Sequence, residues 1–265
     1  MRISFIVRPE DDRREAAAFA AAEGLEGLEL MYLGPEAGAF NDAEEMLEIC
    51  DQYGVAISAV GVWHMGLADP AEAGTRQIIE EGIAYAGALG ADCFFTGAGE
   101  PDSNDDVGVL AEVWPRWEDL CMAEAMDLAL YLGHKGSFLG AESQVAAAVN
   151  RVEGLGLKLD PIGIIRNTKA DPYDFLHRFG GSCAFFHAKD KLALTDGEIE
   201  PPPGLGELEW GKLLGILYQH GYDGWVSIEP HGKFWNAPAN RWRYVRLAAR
   251  HLRQFMAEGR VKSGE

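Results

Sequence analysis

Residues 155–190 read LGLKLDPIGIIRNTKADPYDFLHRFGGSCAFFHAKD, and this stretch holds the unit that decides the fold. A short apolar run, Leu155 to Leu159, stops at Asp160-Pro161. Asp171-Pro172 then opens a helix to about Phe179, with an N-cap side chain and a proline in the first turn. A second apolar run follows from Cys183 to Ala188, closing on Lys189-Asp190. Strand, helix, strand within 36 residues is a parallel crossover unit.

Working outward, the same rhythm recurs along the chain. Toward the N-terminus the runs are Ile3–Val7, Gly27–Tyr32, Val55–His64, Ala91–Gly97 and Ser137–Ala141; toward the C-terminus Trp225–Ile228 adds one more. Amphipathic segments separate them, at about Asp11–Glu23, from a cap at Asn41-Asp42 to Gly54, Asp69–Gly90, about Val107–Leu132, Gln144–Glu153, Glu207–His220 and Asn240–Glu258. Asp69-Pro70 reads as an N-cap with proline at N1, and Pro115 either interrupts the fourth helical region or starts its main helix. Eight strands alternating with eight helices in about 250 residues match a (β/α)8 TIM barrel in a single domain, residues 1–259, with 260–265 as a frayed tail. A dinucleotide-binding open sheet is disfavoured, because Gly97-Ala98-Gly99 lacks the third glycine of the fingerprint and runs into acidic sequence. Gly204-Leu205-Gly206-Glu207 reads as a helix lead-in rather than a phosphate cradle.

Composition narrows the function. The 265 residues are 48% hydrophobic and 25% charged, so the chain can bury a large core. Forty-two acidic against 23 basic residues give a formal net charge of −19, which repels phosphate backbones and anionic membranes. No nucleic-acid or membrane partner is expected, and no apolar run approaches a membrane span. The four cysteines are scattered without a C-x-x-C pair, which fits neither a zinc finger nor a disulfide framework and suits a reducing cytoplasm. The N-terminal apolar run is too short for a secretion signal.

In a barrel of this kind the active site lies at the C-terminal ends of the strands. Four consecutive strands close on ionisable groups there: Glu142, Asp160, His187 and Glu229. Three carboxylates at one rim repel each other unless a cation lies among them, so this set is expected to hold one divalent metal ion. Oxygen ligands with one imidazole suit Mn2+, Mg2+, Co2+ or Zn2+ and do not choose among them; Mn2+ is the cofactor expected. Strand parity adds substrate-side candidates: Lys189 beside His187, Glu29 on strand two, His64 beside Trp63 on strand three, and His231 and Trp235 after strand eight.

His187-Ala188-Lys189-Asp190, Ser227-Ile228-Glu229, Leu159-Asp160-Pro161 and Gly27-Leu28-Glu29-Leu30 together resemble the xylose isomerase-like TIM barrels, within them the sugar phosphate isomerase/epimerase group that includes tagatose and psicose epimerases. The resemblance implies Glu142, Asp160, His187 and Glu229 as metal ligands, with Glu142 and Glu229 as the acid/base pair. It implies isomerisation or epimerisation of a sugar, keto-sugar or related polyol through a metal-stabilised enediolate. Gly163, Ala148 and Ala193 stand where those epimerases carry a substrate histidine, a glutamate and an arginine, so the sugar-binding shell differs. The alternative is a lyase or dehydratase acting at the same site on a 3-keto-glycoside or inosose. A repair endonuclease, which shares the barrel, is disfavoured by the acidic charge and the seven histidines; an inactive binding barrel is the remaining alternative. The expected partner is a small carbohydrate, and the expected assembly a homodimer or homotetramer.

Overall fold

The strand and helix signals resolve, in a computed structural model, into a closed barrel; it describes residues 1–33, 40–68, 73–100 and 105–256. The strands are β1 (Arg2–Val7), β2 (Gly27–Leu33), β3 (Ala56–Gly66), β4 (Cys93–Gly97), β5 (Asp127–Tyr131), β6 (Leu157–Leu159), β7 (Cys183–Ala188), β8 (Leu192–Leu194), β9 (Gly197–Ile199) and β10 (Trp225–Ile228). Eight of them close in the order β1-β10-β7-β6-β5-β4-β3-β2, every pair parallel. The helices are α1 (Arg13–Glu23), α2 (Ala43–Tyr53), α3 (Ala73–Ala88), α4 (Asp106–Ala123), α5 (Glu142–Arg151), the single turn α6 (Pro161–Gly163), α7 (Pro172–Phe179), α8 (Trp210–Gln219) and α9 (Pro238–Leu252). The expected helix start at Asp69-Pro70, the helix end at Glu258 and the tail 260–265 lie outside the described residues.

Local sequence explains most boundaries. Asp12 caps α1 by accepting from the Glu15 amide, and Asp171 caps α7 by accepting from Tyr173 and Asp174. Gly24 and Gly54 end α1 and α2 in the left-handed conformation, at φ +64° and +65°. Asp42 stands at the start of α2 but its side chain makes no cap; its carboxylate instead bonds Tyr85 at 2.6 Å and Arg13 at 2.5 Å.

The fifth strand differs from the expected one. Helix α4 ends at Ala123, carrying Pro115 inside it, and the chain turns through Ala125 at φ +58° into β5. Met, Leu and Ala favour helix, so this segment reads as helix by propensity alone. It becomes a strand because it fills the gap between β4 and β6 and completes their hydrogen bonding. Ser137–Ala141 is instead a loop, tied to the rim by one bridge from Ser137 to Gly99, with Phe138 and Leu139 buried. The β8–β9 hairpin is antiparallel, stands apart from the barrel sheet and has no counterpart in the sequence reading.

Alternation along each strand sorts the side chains. One set packs between barrel and helices, including Leu28, Leu30, Phe94, Leu157, Leu159 and Phe186. The other fills the barrel: Ala59, Trp63, Cys93, Phe95, Ala129, Tyr131, Phe185 and Trp225. Gly61 is required inside, since a Cβ there would lie 2.2 Å from the Phe95 ring. Phe95 and Phe185 stack at 5.6 Å and form the apolar floor on which His187 rests, its ring 5.7 Å from Phe185.

Candidate active site

Above that floor the inward-facing positions turn polar. Residues 158 and 160 on and after β6, 187 and 189 on and after β7, and 227 and 229 on and after β10 share one parity and point to the C-terminal mouth. Lys158, Asp160, His187, Lys189, Ser227 and Glu229 are all buried, as is Glu29 on β2.

Asp160 divides its two oxygens. Oδ1 accepts from the Ile162 and Gly163 amides at 2.9 and 3.1 Å, capping α6. Oδ2 faces inward, 2.5 Å from Lys189 Nζ and 4.0 Å from Lys158 Nζ. His187 lies between two carboxylates, with Nδ1 2.7 Å from Glu229 Oε2 and Nε2 2.8 Å from Glu29 Oε2. Ser227 donates to Glu29 at 2.5 Å. Glu229 Oε2 also meets Lys189 Nζ at 3.0 Å, and its Oε1 meets His231 Nε2 at 2.8 Å. His231 in turn approaches Glu200 at 3.7 Å, and Glu200 is paired with Arg166.

These neighbours set the charges. Burial pushes the Asp160 carboxyl up, but Lys189 and Lys158 outweigh it and hold it below the usual carboxylate range. For Glu229 burial again opposes, and Lys189, His231 and His187 hold it well below. Burial lowers Lys189, yet Asp160 and Glu229 raise it overall, whereas burial wins at Lys158 and lowers it. His231 is raised, chiefly by Glu229. Glu200 is lowered to about 2, first by its bond to His231.

The mouth is completed by aromatic and imidazole groups. Lys158 Nζ lies 4.9 Å from the Trp63 ring centre, and Trp63 stacks on Tyr131 at 4.7 Å. His134, just after β5, packs edge-on against Trp63 at 5.3 Å; burial and then Lys158 lower it to about 4, so it stays neutral. His64 holds φ +66°, a conformation that costs a non-glycine residue about 1–3 kcal/mol and that tends to occur at functional sites. Its amide donates to the Tyr131 hydroxyl at 3.0 Å, and that hydroxyl donates to the Lys135 carbonyl at 2.7 Å.

The structure brings together Asp160, His187, Lys189, Glu229 and His231, and leaves others out. Glu142 is the first residue of α5, partly exposed and paired with Arg178. It belongs to a surface cleft with Asp171, Asp174 and His177, because the strand it was expected to end is a loop. At the end of β5 the inward position is Tyr131, which carries no carboxylate. Glu29 is wholly buried, with its Oε2 2.8 Å from His187 Nε2. His64, at the C-terminal end of β3, is exposed. Trp235 packs on Tyr244 of α9 at 5.9 Å and on the core. Sequence reasoning missed Lys158, His134 and Glu200; the parity of Lys158 with Asp160 was the available signal.

Among the described residues Asp160, His187 and Glu229 form a possible metal-binding triad, one ligand atom from each lying within 4.8 Å of the others. Two carboxylates and an imidazole suit a divalent ion in kind. Their arrangement does not fit one. Lys189 bridges the two carboxylates, both His187 nitrogens face carboxylates, and among the described residues the group holds three ligands, not four. A divalent ion within ~4 Å of an ammonium is repelled by on the order of 8 kcal/mol at an effective dielectric of about 20. The negative charge is also already offset, since three buried carboxylates face two buried lysines and His231.

Such a barrel, with its ionisable groups gathered at the C-terminal mouth, is the architecture of a large class of small-molecule enzymes. Residues 17–255 match the family model of the xylose isomerase-like TIM barrels, and the chain belongs to that family. It is similar in structure to a xylose isomerase domain protein from Planctomyces limnophilus, with 17% identity over 96% of each chain and a TM-score of 0.77. It is also similar to the D-psicose 3-epimerase of Clostridium cellulolyticum H10, at 14% identity, 96% and 99% coverage and TM-score 0.76. The probable 3-DHS dehydratase of petrobactin synthesis from Bacillus anthracis is 15% identical over 96% and 99%, with a TM-score of 0.74. Identities this low speak to the fold alone. No curated protein matches the sequence. No described helix is long and apolar enough to cross a membrane.

Proposed function

We propose that this protein is a sugar isomerase or epimerase that moves a proton next to a carbonyl group in a small keto-sugar or related polyol. The observation that carries the reading is the convergence of Asp160, His187, Lys189, Glu229 and His231 at the barrel mouth, and the likeness in fold to a D-psicose 3-epimerase supports it. Removing a proton beside a carbonyl needs a base and a positive group for the enolate oxygen that forms. Glu229 with His231 is the proton-carrying pair, since His231 Nε2 lies 2.8 Å from the carboxylate and is partly open to solvent. Lys189 supplies the positive group. His134, neutral and beside Trp63, is available as a second acid or base on another side of the mouth.

The test is exchange. Incubation with a panel of ketoses and keto-sugars in D2O should introduce deuterium at the carbon next to the carbonyl, read by NMR, and Glu229→Gln should abolish it while circular dichroism is unchanged. Exchange that survives Glu229→Gln overturns the reading. Loss of water from the product, instead of mass-neutral conversion, assigns the lyase or dehydratase alternative, which the likeness to the probable dehydratase supports. A second reading keeps a divalent ion, Mn2+ first, on Asp160, His187 and Glu229. It is favoured by Asp160 Oδ2 and His187 Nε2, which make no well-directed hydrogen bond, and it requires Lys189 to withdraw.

A further inference from the structure

We propose that the Lys189 ammonium is itself the resident cation of this site, standing where a divalent ion would otherwise join Asp160 to Glu229. Its Nζ lies 2.5 Å from Asp160 Oδ2 and 3.0 Å from Glu229 Oε2, with the side chain 6% exposed. Neither carboxylate is free to turn toward another cation. Asp160 Oδ1 is committed to the amides that start α6, and Glu229 Oε1 to His231. Lys158 adds a second positive charge 4.0 Å from the same Asp160 oxygen. On the open side of the triad β5 presents Tyr131, whose hydroxyl already serves the His64 amide and the Lys135 carbonyl. An imidazole with both nitrogens against carboxylates completes a set assembled around an ammonium.

The consequence for chemistry rests on the proton-transfer reading above. An ammonium has three N–H groups; the Lys189 Nζ is in ion-pair contact with Asp160 and Glu229, and an N–H turned to the open mouth serves a substrate oxygen. When the base takes the C–H proton, the C–H electron pair becomes the new C=C bond and the carbonyl π electrons move to oxygen, where the Lys189 N–H and its charge stabilise them. Returning the proton to the opposite face of the same carbon gives epimerisation; returning it to the former carbonyl carbon, while the adjacent hydroxyl proton passes to the former carbonyl oxygen, gives isomerisation. No redox partner or co-reactant enters.

The experiment is metal content by mass spectrometry on the isolated protein, followed by calorimetric titration with Mn2+ alone. Wild-type protein should hold substoichiometric metal and show no saturable Mn2+ binding. Lys189→Met, which keeps the length and removes the charge, should bind Mn2+ saturably, at least about 100-fold more tightly than the weakest binding the titration can detect, because the two carboxylates lose their counter-charge. Lys189→Arg should gain nothing. One ion per chain in the wild type, or no gain in Lys189→Met, overturns the proposal. Should Lys189→Met fail to fold, the wild-type measurement decides alone. A protein that refuses Mn2+ but exchanges no substrate proton defeats the proposed reaction and keeps this inference; an active protein with a stoichiometric ion does the reverse.

Discussion

Replacing Asp160 by Asn should cost about 3 kcal/mol of folding stability even though asparagine caps helices as well as aspartate does. The two oxygens of Asp160 have separate duties, which makes the position informative. Oδ1 caps α6 at 2.9 and 3.1 Å, and an asparagine oxygen can accept the same two amide hydrogens. Oδ2 faces Lys189 at 2.5 Å and Lys158 at 4.0 Å, and the side chain is only 6% exposed. Removing one member of a buried ion pair typically costs about 3–5 kcal/mol, because the partner charge stays buried. Glu229 still holds Lys189 from 3.0 Å, which places the loss at the low end. Asp160→Ala removes the cap as well and should cost about 1 kcal/mol more. The double variant Asp160→Asn with Lys189→Met should recover most of the loss, since it removes both charges together. Urea unfolding followed by tryptophan fluorescence measures all three differences, provided the denaturant slopes agree. Wild-type-like stability in Asp160→Asn, or equal losses in the Asn and Ala variants, would show that the ion pair or the cap does not exist as described.

Three other outcomes follow from single contacts. Gly61→Ala should destabilise by about 1–3 kcal/mol through overpacking, because its Cβ would lie 2.2 Å from the Phe95 ring in the barrel floor; thermal unfolding checks it. The His134 ring should titrate near pH 4 by NMR instead of near 6.5, since burial and Lys158 disfavour its charged form; its stability contribution is therefore complete above the unfolded pKa of about 6.5 and is lost as the pH falls toward 4. Glu142→Gln should change stability by less than about 1 kcal/mol and leave substrate exchange intact, because its pairing with Arg178 is a surface ion pair; loss of exchange in this variant would restore Glu142 to the site.

How much was legible can be read from particular residues. Asp171-Pro172 announced α7, Gly54 ended α2, and the strand-end positions of Asp160, His187 and Glu229 placed them on one rim. Each signal is local, a cap, a φ value or an alternation of two, so a linear reading recovers it. Asp127–Tyr131 carries no such signal. Its Leu and Ala are good helix formers, no glycine or proline separates it from α4, and only the vacancy between β4 and β6 makes it a strand. The error then moved the expected catalytic carboxylate to Glu142, on the outer layer.

The sequence by itself determined an eightfold alternation, an acidic chain and a ring of ionisable strand ends, because patterning and local caps are properties of neighbours along the chain. Tertiary structure decided what those groups do to each other. Lys158 looks like an ordinary charged residue of its strand and Lys189 like a substrate contact after its own, yet barrel closure drives both ammoniums into the carboxylates it gathers. Burial in a low-dielectric interior then makes each charge depend on the others, and a dependence between residues on separate strands is visible only once the barrel is closed.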